Sequence, residues 1–174
     1  MDSLQYPIGK PEFLASLSEA QRAKSISDLA EAPGRLESAV EGLSEAQLDT
    51  PYRPGGWTVR QVVHHLADTH GAAGLRIRMA LTAEEPLVAV YNVNGIAELS
   101  DSKAGPIGPS LAVFRGAHER LVPLLQSLAP EDFARTFLHP ERGPLTIDRN
   151  IGIYAWHARH HTAHITALRQ REGW

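Results

Sequence analysis

Three times within its first 61 residues the chain sets Ser or Thr three positions ahead of Gln: Ser18-Glu19-Ala20-Gln21, Ser44-Glu45-Ala46-Gln47 and Thr58-Val59-Arg60-Gln61. Each is a capping box, in which the hydroxyl accepts from a first-turn amide and the Gln side chain reaches back to the cap's own amide. After Ser18 the apolar residues Ile26, Leu29, Leu36, Ala39, Val40 and Leu43 recur at helical spacing and predict a helix to about Gly42. Pro33 lies inside it and is expected to kink or split it. The Ser44 box opens one short turn. After Thr58 the stripe Val59, Val62, Val63, Leu66, Ala73, Ile77 and Leu81 predicts a helix to about Thr82. A third runs from Ser110 to Leu128 on Leu111, Phe114, Ala117, Leu121, Leu124 and Leu128. A fourth runs from about Thr146 to Arg171 and stops at Gly173. There is no repeat, no low-complexity tract and no strand alternation. The expected fold is all-α: an antiparallel four-helix bundle with long connecting loops, forming a single domain over residues 1–174.

The connecting segments read as follows. Residues 1–17 form an extended arm, punctuated by Pro7, Gly9 and Pro11 and packed through Tyr6, Ile8, Phe13 and Leu14. Thr50 to Gly56 is dense in Pro and Gly and makes an ordered turn or loop. Residues 83–109 are a long connection with one short helix near Gly95–Ser102, and a loop of that length in a compact domain is often functional. Pro130-Glu131-Asp132 starts a short turn, and His139 to Pro144 is a turn.

Composition narrows the function. A chain of 174 residues can bury a real core. Its 17 Lys and Arg against 20 Asp and Glu leave a net charge of −3. That balance argues against generic binding of nucleic acid or anionic membrane, which uses clustered cations. With no Cys there are no disulfides, no thiolate metal ligands and no protein thiol nucleophile. No apolar run approaches the roughly 20 residues of a membrane helix. Met1-Asp2-Ser3-Leu4-Gln5 lacks the start of a signal peptide, so a cytoplasmic location is expected.

Nine His are present, and seven are clustered: His64, His65 and His70 in one group, His157, His160, His161 and His164 in the other. His118 and His139 stand apart. On a wheel of about 100° per residue with Ile151 at zero, the apolar face of the last helix centres at about 300–320°. His161 falls at about 280° and His157 at about 240°, on or beside that face, whereas His160 at about 180° points mostly outward. His157 and His161 are an i, i+4 pair and stand side by side. Two such imidazoles can grip a divalent metal, and a third ligand should come from the facing helix. There His65 lies about 110° from the apolar centre and His64 about 150°, which favours His65 by a small margin. The expected constellation is His65, His157 and His161. Other metal signatures are missing: His157-Ala158-Arg159-His160-His161 lacks the Glu of the zinc-protease helix, and no inward Glu-x-x-His supports a di-iron site.

Tyr6-Pro7-Ile8-Gly9, the block from Gln47 through Gly55-Gly56-Trp57-Thr58 to His64-His65-Leu66-Ala67-Asp68, and Trp156-His157-Ala158-Arg159-His160-His161-Thr162-Ala163-His164-Ile165 resemble the YfiT branch of the DinB-like superfamily. The likeness covers essentially the whole chain. It implies a four-helix bundle with a divalent metal on three His, which carry over to His65, His157 and His161. It also implies a homodimer, and an activity as metal-dependent hydrolase or as a thiol S-transferase that uses bacillithiol or a related thiol.

Three neutral imidazoles would leave an open position on Zn²⁺ or Ni²⁺, which suits a reactive rather than a structural site. Such a metal can lower the pKa of water for hydrolysis, or deprotonate a thiol. The expected activity is transfer of a low-molecular-weight thiol onto an electrophilic small molecule. A hydrolase and a non-catalytic metal-binding stress-response bundle are the alternatives. His164 is a candidate proton carrier, Arg53 could pair with a carboxylate of the thiol cofactor, and Asp68 could orient a ligand imidazole. Trp57 and Trp156 beside the ligand segments read as packing residues.

Overall fold

The structure, a computed structural model, describes residues 2–174. Its long helices are α2 (Glu19–Val40), α4 (Val59–Thr82), α7 (Gly108–Ser127) and α8 (Ile147–Glu172). Short helices stand between and before them: α1 (Asp2–Gln5), α3 (Glu45–Leu48), α5 (Val93–Ala97) and α6 (Ser100–Ala104). A 3₁₀ turn at Pro130–Ala134 and a two-stranded hairpin, β1 (Thr136–His139) with β2 (Gly143–Thr146), complete the described chain.

All three capping boxes form as the sequence predicts. Ser18, Ser44 and Thr58 each accept from the amide of the Gln three residues on, and that Gln accepts from the cap's amide. Thr146 caps α8, and Gly173, with φ at 75°, takes the left-handed conformation that ends it. Pro33 does not split its helix; α2 runs unbroken past it. The first arm is not wholly extended, because α1 occupies its start. The 83–109 connection holds two short helices rather than one, and α7 begins at Gly108, two residues earlier than expected. The hairpin escaped prediction because strands of four residues are too short to show alternation.

A bundle is present as expected, and its topology explains the long connections. The four helices close a ring in the order α2, α8, α4, α7, so α2 and α4 sit diagonally, as do α7 and α8. Two neighbouring pairs are antiparallel. His65 and His70 of α4 meet His157, while Arg76 meets Tyr154. Likewise Leu29 of α2 meets His118, and Glu37 meets Arg115. The other two pairs run in the same sense: Arg22 pairs with Asp148 and Asp28 with Arg159, and His64 meets Ser110 as His70 meets His118. A parallel neighbour requires the chain to return along the helix just made, which for the 24 residues of α4 is about 36 Å. Residues 83–107 make that return. The segment is pinned to the start of α4 where Gln61 Nε2 donates to the Ala97 carbonyl (2.7 Å) and Arg60 to the Gly105 carbonyl (2.8 Å).

The core lies in two apolar clusters. One gathers Leu36, Val62, Val63, Leu66, Phe114 and Ile165; the other gathers Leu29, Ile77, Leu121, Leu125, Phe137 and Ile151. His70 falls between Leu66 and Ile77 on α4, and His118 between Phe114 and Leu121 on α7. A polar layer therefore separates the two clusters.

Candidate metal centre

Because α4 and α8 are antiparallel, the second turn of α4 faces the middle of α8. That apposition brings His65 onto His157 and His161, the three residues read from the spacing. One ring nitrogen of each lies within 4.8 Å of the others. His65 Nε2 and His157 Nε2 are 3.0 Å apart, and the His65 and His161 ring centroids 4.8 Å. Desolvation pushes His65 down to about 4 and holds His157 and His161 well below the ordinary imidazole value, with the neighbouring histidines adding to the effect. The rings are therefore neutral and offer lone pairs. No Asp or Glu hydrogen-bonds to them among the described residues. A neutral three-imidazole set joined across two facing helices fits a borderline divalent cation.

The pair His64–His65 divides its roles. His64 turns away: the Ser110 hydroxyl donates to its Nδ1 (2.7 Å) and its Nε2–H donates to the Gly105 carbonyl (3.3 Å). One ring nitrogen thus holds the start of α7 and the other the returning connection.

His160 corrects the wheel. It is 7% exposed, stacked on Trp156 with centroids 4.2 Å apart, and near Tyr6 at 5.8 Å. A wheel for the last helix sees only its bundle neighbours, whereas the N-terminal arm folds over this outer face. His164 is 3% exposed and stacks flat on Tyr52 at 3.9 Å. Its Nε2–H donates to the Gln5 carbonyl (3.1 Å), and its buried Nδ1 has no hydrogen-bond partner. Nitrogens of His160, His161 and His164 also lie within 4.8 Å of one another. That group sits wholly on α8 and shares His161 with the triad.

The turn before α4 supplies the rest of the wall. The Tyr52 amide donates to the Trp57 carbonyl (3.0 Å) and the Gly56 amide to the Arg53 carbonyl (2.9 Å). Gly55 takes φ of 68°, and a Cβ on Gly56 would lie 2.8 Å from Arg53 Cγ. Closed in this way, the turn sets Trp57 against His65 at 4.7 Å. Arg53 bonds only to the Tyr52 hydroxyl and the Pro54 carbonyl, with no acidic partner among the described residues. Asp68 is exposed and bonds to no ligand imidazole.

The two larger cavities that reach the triad lie on either side of His65. One of about 430 Å³ touches His65 and His157 and extends past Tyr91 and Tyr154 to Arg76 and Arg142. The other, about 320 Å³, touches His65 and His161 and is walled by Tyr52, Arg53, Trp57 and His164. A larger open groove of about 1020 Å³ between α2 and α7 meets none of the three histidines.

Two histidines that the spacing left aside belong to this centre. His157 Nδ1 lies 3.1 Å from His70 Nε2, and His70 Nδ1 lies 3.0 Å from His118 Nε2. His118, separate from both clusters in sequence, is 2% exposed. The signal that could have found it is its place on the apolar stripe of α7, four residues after Phe114 and three before Leu121.

The DinB superfamily profile matches residues 28–165, most of the chain. The chain belongs to the DinB superfamily. Relatives from Bacillus mycoides strain KBAB4 and Bacillus thuringiensis subsp. konkukian, each named "Putative metal-dependent hydrolase", are both 46% identical over 174 residues and are matched along their full length. The solved structure of YfiT from Bacillus subtilis, described as "a probable metal-dependent hydrolase with an unusual four-helix bundle topology", superposes with a TM-score of 0.95 at 45% identity over 99% of each chain. TT2238, a four-helix bundle protein, superposes with a TM-score of 0.54 at 20% identity, covering 86% of this chain and 98% of its own, and shows the fold alone. The diagonal placement of α2 with α4 and of α7 with α8, with α4 and α7 as parallel neighbours, sets this bundle apart from simple up-and-down winding. Among the described residues no helix is long and apolar enough to cross a membrane.

Proposed function

We propose that this protein is a divalent-metal-dependent enzyme, with His65, His157 and His161 as ligands to Zn²⁺ or Ni²⁺, that joins a low-molecular-weight thiol of the bacillithiol type to an electrophilic small molecule. The observation that carries the metal reading is the meeting of three neutral imidazoles from two facing helices beside two cavities. The metal, when bound, would supply the positive charge that lowers the pKa of a coordinated thiol or water.

The cavity on the His161 side favours the thiol. The cavity walled by Tyr52, Arg53, Trp57 and His164 contains no Asp or Glu, so water would find no carboxylate base there. A thiol, with an ordinary pKa of about 8.5, needs far less help to ionise than water. His164 Nδ1, a buried lone pair without a partner, would take the proton that leaves. Arg53 is free of acidic partners and would bind an anionic group on the cofactor. Arg76 and Arg142, also without ion pairs among the described residues, would do the same for the second substrate. Arg76 stands eleven residues beyond His65 on α4, about 16 Å away along the axis.

The names of the Bacillus relatives support a second reading, metal-dependent hydrolysis. Zinc- or nickel-loaded protein should be offered an epoxide or chlorinated aromatic probe with and without a panel of small thiols. Conjugation that needs both metal and thiol supports the transferase. Ester or amide cleavage that needs metal and no thiol puts the hydrolase in its place. Turnover in neither assay favours a non-catalytic metal-binding protein.

A further inference from the structure

We infer that His70 and His118 are positioning residues that fix the tautomer of His157, and that the chain of hydrogen bonds is anchored by a carbonyl which Pro33 leaves free. The inference rests on the reading of His65, His157 and His161 as a metal centre.

A helical carbonyl accepts from the amide four residues on, and for Leu29 that residue is Pro33, which has no N–H. The carbonyl nevertheless has a donor: His118 Nδ1 lies 2.7 Å away in the buried interface between α2 and α7. A carbonyl only accepts, so His118 must carry its proton on Nδ1.

A neutral imidazole protonated on Nδ1 has its lone pair on Nε2. His118 Nε2 therefore accepts, at 3.0 Å, from His70 Nδ1–H. His70 is then left with a lone pair on Nε2, which accepts, at 3.1 Å, from His157 Nδ1–H. His157 in turn must hold its lone pair on Nε2, the atom that faces His65 Nε2 at 3.0 Å. Among the described residues no carboxylate hydrogen-bonds to these rings, and His70 and His118 are 3% and 2% exposed, so burial keeps both rings uncharged. Starting from one acceptor, the polarity runs in a single direction through three rings and ends with the lone pair aimed at the candidate centre. A ligating His ordinarily donates its second N–H to a carboxylate or carbonyl. Here the carbonyl is reached through two intervening imidazoles. Phe114 packs edge-on to His70 at 4.9 Å and holds the layer in place.

The test pairs two variants with two measurements. His118→Leu removes the acceptor for His70, whereas His118→Gln can donate its amide to Leu29 and accept from His70 through its carbonyl oxygen. Long-range ¹⁵N–¹H NMR of the metal-free protein reports which ring nitrogen of His157 is protonated. Zinc titration against a competing chelator reports affinity, with thermal melting as the check on folding. The expected result is protonated Nδ1 at His157 in wild type and His118→Gln. In folded His118→Leu, mixed tautomers and zinc binding about 10–100-fold weaker are expected, with His118→Gln close to wild type. Protonated Nε2 at His157 in the wild type overturns the inference even if zinc binds well. Unchanged affinity in folded His118→Leu overturns the positioning role. Protonated Nδ1 in a wild-type chain that takes up no zinc overturns the metal-centre reading, and with it the positioning role, while the hydrogen-bond chain itself stands.

Discussion

His118 of α7 completes a helix to which it does not belong: its Nδ1–H supplies the Leu29 carbonyl of α2, at 2.7 Å, with the hydrogen bond that Pro33 cannot give. The bond therefore carries stability as well as orientation. Leaving a buried carbonyl unpaired costs about 1–3 kcal/mol. His118→Leu should destabilise the metal-free protein by about that amount in urea unfolding. Pro33→Ala returns an amide to the Leu29 carbonyl, so the same His118→Leu change should cost measurably less in the Pro33→Ala background. Equal costs in the two backgrounds would show that the carbonyl is not what His118 serves.

Protonation should undo the same layer. Desolvation pushes His118 from its ordinary 6.5 down to about 4, partly opposed by its bond to Leu29. His65 and His160 are likewise pushed to about 4, and His70 lies well below its ordinary value. A base whose folded pKa is depressed binds its proton in the unfolded chain first. Stability is thus fully present above the unfolded value of about 6.5 and is lost as pH falls toward the folded values near about 4. At about 1.4 kcal/mol per pKa unit, His118 alone would cost about 3 kcal/mol by the acid end. Calorimetry of the metal-free protein from about pH 7.5 to about pH 4.5 should show a steep fall in Tm, shallower in His118→Gln. A flat profile would mean that the rings are not buried neutral.

The ligand assignment makes a sharp division within one dipeptide. His65→Ala, His157→Ala and His161→Ala should each lose more than the about 10–100-fold in zinc affinity typical of outer-shell changes. His64→Ala should retain its zinc, because His64 is spent on Ser110 and the Gly105 carbonyl. Elemental analysis of the four purified variants checks this directly. Metal retained in His65→Ala and His157→Ala but lost in His161→Ala, and in His160→Ala or His164→Ala made alongside, would move the centre onto α8 alone.

Much of this arrangement is legible in the residues. The capping boxes mark helix starts because their hydrogen bonds are local, and the i, i+4 spacing of His157 and His161 puts them side by side whatever the rest of the chain does. His65 required a neighbour that only tertiary packing supplies, so periodicity separated it from His64 by a small margin. The misread residues are those whose surroundings come from far away in the chain. His160 is covered by the N-terminal arm, and His118 is joined to the centre through His70 of another helix. The length of 83–109 is visible as a loop, but its cause, the parallel placement of α4 and α7, is a property of the whole bundle.

The turn ahead of α4 should control substrate affinity without touching the metal. A Cβ on Gly56 would meet Arg53 Cγ at 2.8 Å, Tyr52 Cε1 at 3.1 Å and the Arg53 carbonyl oxygen at 3.2 Å. The last of these is backbone and cannot swing aside, so Gly56→Ala must shift the turn that carries Arg53. Under the proposed thiol transfer, Gly56→Ala and Arg53→Ala should both raise KM for an anionic thiol and leave zinc content at the wild-type level. Arg53→Ala should lose about 1.5–3 kcal/mol of binding, the worth of a charge-assisted hydrogen bond, or roughly tenfold or more in KM. A neutral thiol should show little change, because it never used the guanidinium. Steady-state kinetics with one charged and one uncharged thiol separate the cases: an equal rise for both would place Arg53 in the shape of the wall and not in recognition of charge.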